Sequence, residues 1–221
     1  MAKKTLALIH TSATLVPVFQ ELIDTYLKGK DLKIFNIVDD SLIKNTIERG
    51  RVTPDTSRRV VDYIGSAEAA GADYIMVTCS SIGAAVESAV PLTAVPVLRV
   101  DQPMADKAVQ SGKRVGVIAT LPTTLEPTSD LVRRRAIALK QDIEITSKLC
   151  DGAFEALMGG KPEIHDQMVA KALKDLAENV DVILLAQASM ARVVGQLSEA
   201  DKKVPILASP EIAMQYLAEI L

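Results

Sequence analysis

Tryptophan is absent from this chain of 221 residues, and three phenylalanines with four tyrosines bring aromatics to only 3%. That scarcity excludes the stacking platforms of single-strand nucleic-acid binders and points to an aliphatic interior. An excess of basic charge is lacking too. Twenty-five Lys and Arg stand against 28 Asp and Glu, a net charge of −3, so neither nucleic acid nor an anionic membrane surface is expected as a partner. The one dense basic cluster, Arg133-Arg134-Arg135, has apolar residues around it at helical spacing and reads as a solvated helix face. No apolar run approaches the roughly 18 residues of a membrane span, and the run that starts at Thr5 is too brief for a secretory signal, so a cytoplasmic protein is expected. In that compartment the two cysteines, Cys79 and Cys150, are expected to stay reduced. Together with His10 and His165 they show none of the paired spacings of a metal site, and no metal is expected. Glycine-rich phosphate loops are missing as well. The turn His10-Thr11-Ser12-Ala13-Thr14 contains no glycine, and Gly159-Gly160-Lys161-Pro162 lacks the upstream Gly and the Ser/Thr of a P-loop, so no nucleotide cofactor is expected.

What the chain does contain is a duplication. Asp73-Tyr74-Ile75-Met76-Val77-Thr78-Cys79 reads position for position against Asp181-Val182-Ile183-Leu184-Leu185-Ala186-Gln187, at an offset of 108 residues. Thr5–Thr11 repeats as Arg114–Thr120 at 109, Asp31–Ile34 as Asp142–Ile145 at 111, and Val95–Leu98 as Val204–Leu207 at 109. Four matches in the same order indicate a duplicated unit rather than chance. Short apolar runs at 5–10, 32–38, 73–78, 95–100, 114–119, 142–147, 180–186 and 204–208 alternate with longer segments of helical periodicity, such as 14–26, 56–70, 124–139 and 163–176. Continuous apolar strands between amphipathic helices predict an α/β fold: two pseudo-symmetric Rossmann-like lobes with mostly parallel four-stranded sheets and an active-site crevice between them. The expected division is 1–99 with 209–221, the last segment being a closing helix, and 100–208.

The chemistry is expected where strands run into helices. Thr14 and Thr124 read as N-caps, and the hydroxyl-rich turns Thr11-Ser12 and Thr120-Thr123-Thr124 suit a carboxylate held at helix starts. Cys79 follows a buried strand and precedes a helix starting around Ser81, a setting that favours a thiolate. Cys150 lacks that setting and reads as packing. His10 ends the first strand and is either an acid or hydrogen-bond donor in the crevice or a satisfied structural histidine. Arg99, Asp101 and Gln102 follow the fourth strand, where one of them could reach a ligand.

Val77-Thr78-Cys79-Ser80-Ser81, with Leu184-Leu185-Ala186-Gln187-Ala188-Ser189-Met190 in the second half, resembles the aspartate/glutamate racemase superfamily, which includes hydantoin racemases, maleate isomerases and arylmalonate decarboxylases. The resemblance covers essentially the whole chain. It implies cofactor-independent chemistry on a small carboxylate, no bound cofactor, and a homodimer. Residue by residue, Cys79 corresponds to the first-half cysteine, and Gln187 stands where the second-half cysteine is found. Ser80 and Ser81 correspond to substrate-binding residues, the hydroxyl turns Thr11-Ser12 and Thr120-Thr123-Thr124 correspond to the family's substrate-binding loops, and Ala188 and Ser189 keep the turn that presents backbone donors to the substrate. A glutamine cannot take a proton as a thiolate does, although its amide can donate hydrogen bonds. Three readings stay open: a single-cysteine isomerase, a decarboxylase or lyase using the same cleft, and a carboxylate-binding protein without turnover.

Overall fold

The computed structural model describes residues 3–221, the Ala188 side chain excepted. Strands β1 (Lys4–His10), β2 (Leu32–Val38), β3 (Tyr74–Val77) and β4 (Val97–Arg99) form one sheet in the order β2-β1-β3-β4. Strands β5 (Arg114–Ala119), β6 (Glu144–Leu149), β7 (Val182–Leu185) and β8 (Ile206–Ala208) form a second in the order β6-β5-β7-β8. Every pairing is parallel. The α/β class read from the sequence is the class observed, with the same topology written twice. By contacts, residues up to Val100 group with Ala213–Leu221, and Asp101–Ile212 form a second unit.

The strands differ according to what covers them. Central β1, β5 and β7 are buried nearly throughout, whereas edge strands β2 and β6 alternate or face water along much of their length. An edge strand has one side chain in two turned outward, so its apolar run is broken by Lys33, Asn36, Thr146 and Lys148. In β1 the period of two is explicit: Leu6 and Leu8 pack with Phe19 and Met214 on one face, and Ala7 and Ile9 with Leu42, Val60 and Ile64 on the other.

The helices are α1 (Leu15–Tyr26), α2 (Asp40–Arg49), α3 (Pro54–Ala69), α4 (Gly83–Ala89), α5 (Gln102–Ser111), α6 (Pro122–Ala138), α7 (Ala153–Met158), α8 (Pro162–Ala177), α9 (Ala191–Gln196) and α10 (Ser209–Ile220). In the first unit α2, α3 and α4 line one face of the sheet, and α1 with the end of α10 lines the other. In the second, α5 and α6 face α8 and α9 across the sheet in the same way. Ala213, Met214 and Leu217 of α10 belong to the core of the first unit.

The duplication reaches the hydrogen bonds. Asp73 accepts the Thr5 N–H at 2.7 Å, and Asp181 the Arg114 N–H at 2.8 Å, each tying the start of one strand to the approach of its neighbour. At the carboxyl edge Thr78 N–H donates to the Ile9 carbonyl and Ala186 N–H to Ile118, while Asp39 N–H donates to His10 and Cys150 N–H to Ala119. The two units therefore present turns of matching backbone geometry at their carboxyl edges.

Among the described residues no helix is long and apolar enough to cross a membrane. Gly65 offers a test of the helix assignment. It lies in the interior of α3, is exposed, and has nothing within 4 Å of where a Cβ would stand. Gly65→Ala is expected to stabilise the protein by about 0.5–1 kcal/mol, since alanine loses less backbone entropy in a helix. A chemical denaturation midpoint that moves down instead of up would show that α3 is not helical there.

Candidate active site

The first unit gathers its polar groups where β1, β2 and β3 end. His10 is fully buried. Its Nε2–H donates to Asn36 Oδ1 at 2.9 Å, and its Nδ1 lies 2.9 Å from Thr78 Oγ1. Burial lowers its pKa, against a smaller opposing effect of the Asn36 bond, so the ring is neutral. With Nε2 protonated, Nδ1 is the acceptor and the Thr78 hydroxyl donates to it. The Ile9 carbonyl, 3.1 Å from that hydroxyl, is already served by the Thr78 N–H. Both ring nitrogens are thus engaged inside the unit, and His10 fixes the backbone one residue before Cys79.

Cys79 is half-buried with an extended backbone (φ −132°, ψ 118°), and it opens a 3-10 turn over Ser80–Ile82 that leads into α4. Ser80 and Ser81 are buried beside it. Thr11 is buried and Ser12 half-buried, the Ser12 hydroxyl bonding Thr14 Oγ1 at 2.8 Å. Thr14 does stand at the N-cap of α1, but its side chain makes no capping bond. The turn is held instead from α2, whose Asp40 accepts the Ala13 N–H at 3.0 Å.

Next to that turn is a cluster the sequence reading did not single out. Asp39 accepts from Ser41 N–H, the Ser41 hydroxyl, the Tyr63 hydroxyl and the Arg59 guanidinium. Burial alone would raise the Asp39 carboxyl, but these bonds and the Arg59 charge outweigh it and hold its pKa below the usual value. The Asp39-Asp40 pair after a β-run, followed by Ser41, was the available signal: an N-cap with its helix behind it.

In the second unit the equivalent position is occupied differently. Gln187 is half-buried, and its Oε1 accepts both the Thr120 N–H at 2.5 Å and the Thr120 hydroxyl at 2.9 Å. A backbone N–H can only donate, so the amide orientation is settled: the oxygen faces Thr120 and the NH2 group faces away. Ala119 and Ala186 replace His10 and Thr78, so no histidine bond braces this copy, and the glutamine performs the bracing itself. Thr120 and Thr124 are buried. Thr123 Oγ1 is buried and has no hydrogen-bond partner among the described residues. Thr124 is not the N-cap of α6. The helix starts earlier, at Pro122 with Leu121 as cap, because proline's fixed φ suits the first helical position. Ser189 is exposed on the 3-10 turn Ala188–Met190, and the Ala188 side chain lies outside the described residues.

Within each unit the expected residues cluster at one sheet edge: His10, Thr11, Ser12, Cys79, Ser80 and Ser81 in the first, and Thr120, Thr123, Thr124, Gln187 and Ser189 in the second. Cys150 is buried in the second core, and burial pushes its thiol pKa up. Asp101 is fully buried at the start of α5. Among the described residues no group of His, Cys, Asp and Glu is placed to hold a metal ion.

Comparison with known proteins adds the family. No curated protein matches the chain significantly. A glutamate racemase from Bacillus anthracis superposes with a TM-score of 0.72 at 19% identity, covering 100% of this chain and 82% of that one. A putative Asp/Glu racemase from Yersinia pestis gives 0.74 at 18%, covering 98% of each chain. An allantoin racemase from Klebsiella pneumoniae gives 0.64 at 18%, covering 99% of this chain and 87% of that one. At such identities the superpositions speak for the fold. The sequence pattern of the Asp/Glu/Hydantoin racemase family matches residues 6–217, so the chain belongs to that family and is an enzyme of isomerase type.

Proposed function

We propose that this protein is a cofactor-independent isomerase of a small carboxylate or dicarboxylate, in which Cys79 is the one proton carrier or nucleophile and Gln187 is a hydrogen-bond donor to the substrate. The observation that carries this reading is the Gln187 amide. With its oxygen committed to Thr120 N–H and hydroxyl, the group it offers a ligand is NH2, which can stabilise an oxygen anion and cannot take a proton. The proposed chemistry uses the carboxyl edges of the sheets, where open α/β sheets generally bind ligands. In it the Cys79 thiolate removes the proton next to a carboxylate, the electron pair moves onto the carboxylate to give an enediolate, and the Gln187 N–H bonds the developing negative oxygen. Isomerisation follows when the enediolate turns over in the site and the thiol returns the proton to its opposite face, since return to the same face only exchanges the proton. On an alkene substrate the same thiolate adds to carbon while Gln187 holds the carboxylate that accepts the charge; after rotation about the former double bond the electron pair returns, the C–S bond breaks and the thiolate leaves the other geometric isomer. Ser80, Ser81, Thr11 and the Thr123 hydroxyl, which has no partner among the described residues, supply further donors for the substrate's carboxyl groups. A homodimer is proposed from the family resemblance.

The test is turnover in D2O with a panel of amino-acid, hydroxy-acid and unsaturated dicarboxylates preselected by thermal shift, because a ligand bound only by the native state raises apparent stability. The expected result is a ligand that raises the melting temperature and gains solvent deuterium or changes double-bond geometry. Carbon dioxide release from a malonate-type ligand would replace the isomerase by a decarboxylase in the same cleft. Ligand binding with neither change would leave a binding protein.

A further inference from the structure

The short helix behind Gln187 is tied from α8. The Gln187 carbonyl accepts the Met190 N–H at 3.2 Å across the 3-10 turn Ala188–Met190, and α9 follows without a break. With six residues α9 has fewer than two turns, far below the length at which a helix holds itself in water. Met190, Val193 and Leu197 enter the second core, but apolar burial is non-directional and sets how deep the segment lies more than how it is turned or slid. The directional bonds end on one carboxylate. Arg192 and Gln196, four residues apart on one face of α9, both donate to Asp166 of α8: Arg192 Nη2 and Nε to Oδ1 at 2.8 and 3.2 Å, and Gln196 Nε2 to Oδ2 at 3.3 Å.

Asp166 is itself held. His165, fully buried, opens the core-facing stripe of α8 that continues through Val169, Leu173 and Leu176, and its Nδ1–H donates to Asp166 Oδ1 at 2.7 Å. Burial alone would raise the Asp166 carboxyl, but the bonds from His165, Arg192 and Gln196 and the Arg192 charge outweigh it and hold its pKa below the usual value. Helix α8 carries the chain from β6 to β7, both parallel to β5. It therefore runs against the strands and begins at the carboxyl edge, the edge that bears Gln187.

The first unit ties the corresponding helix by other means. Arg99, buried at the end of β4, donates to Glu87 of α4 at 2.6 Å, and its guanidinium lies on the backbone of Gly83, where any Cβ would fall inside it. At the offset of 108 residues Ala191 stands for Gly83, and in sheet register Ala208 stands for Arg99. The second unit has neither that cation nor that space. Conversely, Arg58 and Ala84 of the first unit stand where the second has Asp166 and Arg192. Two ties of different make at one place indicate a demand of the place and not an inheritance from the duplication.

We propose that Asp166, bonded to His165, Arg192 and Gln196, is a positioning residue that fixes the Gln187 turn by clamping α9 to α8. This rests on the reading of Gln187 as a donor to the substrate. An ion pair at this exposure adds little to global stability, so the effect is local. The experiment is backbone hydrogen exchange of the whole protein by mass spectrometry, joined to kcat and KM on the substrate that the D2O panel identifies. Asp166→Ala and Arg192→Ala are each expected to speed exchange across residues 187–196 while the turn at 79–82 is unchanged. Each should lower kcat about 10–100-fold with KM within about threefold, the effect of a misplaced group rather than a lost contact. In a Gln187→Ala background the further loss from Asp166→Ala should shrink to less than about threefold, because the group it positions has gone. A merely structural carboxylate would multiply the two losses. Multiplying losses overturn the proposal, as does unchanged exchange at 187–196 in a folded Asp166→Ala protein. Faster exchange with unmoved kcat beside an impaired Gln187→Ala enzyme overturns it too. If Asp166→Ala does not fold, Arg192→Ala, which alters an exposed side chain, decides by the same readouts. An unmoved kcat in Gln187→Ala itself removes the reading of Gln187, and the exchange rates then decide the clamp alone.

Discussion

Cys79→Ser is expected to lower kcat at least about 10⁴-fold while leaving KM within a few-fold. Serine fills almost the same volume between Thr78 and Ser80, so the turn and its donors persist. What disappears is a group that ionises near neutral pH, and sole proton carriers or nucleophiles account for the upper end of the 10²–10⁴-fold range of such groups. Cys150→Ser provides the contrast. That thiol is buried in the second core with its pKa pushed up, so its replacement should cost stability and not turnover. Steady-state kinetics on both variants, with circular dichroism to confirm folding, make the comparison. Unchanged turnover by Cys79→Ser would sink the single-thiol mechanism, and the protein would then be read as a binding protein or as an enzyme with its chemistry elsewhere.

How far the sequence carried this reading depends on what each residue answers to. The eight strands and their pairing into two like sheets were legible because burial on both faces demands unbroken apolar runs, and the duplication supplied the register. Strand ends were read too long, as with 73–78 for Tyr74–Val77 and 95–100 for Val97–Arg99. Apolar residues continue past the last ladder bond into the turns, where the core still needs them. Helices α2 and α5 leave a weaker periodic trace because each has only ten residues, and α2 is defined by Asp39 at its start and Gly50 at its end more than by any stripe. At the site, residue identity revealed Cys79 and Gln187 but not their partners. Asn36 lies 26 residues from His10 and Thr78 lies 68 away, so only the sheet order brings them together. The visible hint was a lone asparagine inside the apolar run Ile34-Phe35-Asn36-Ile37-Val38. Arg99 was the least legible. Nothing in a linear sequence distinguishes an arginine on the surface from one seated on a glycine sixteen positions earlier.

Gln187 carries the second large prediction, because its three simplest replacements separate donor, charge and base. Gln187→Ala removes the NH2 group and is expected to reduce kcat about 10²–10³-fold, the usual effect of deleting one donor to a developing oxyanion. Gln187→Glu should be worse than alanine despite being nearly isosteric. Thr120 N–H and hydroxyl would hold one carboxylate oxygen as they now hold Oε1, and the other oxygen would turn a negative charge toward an anionic substrate. The loss should appear in KM as well as kcat and should ease as pH falls and the new carboxyl takes up a proton. Gln187→Cys puts a thiol at the second-half position, and in a site of racemase geometry it should let solvent deuterium enter the substrate from both faces. The decisive comparison is glutamate against alanine. If Gln187→Glu retains more activity than Gln187→Ala across the pH range, the group needed there is an acceptor or a base and not a fixed donor, and the assignment built on the Thr120 bonds is wrong.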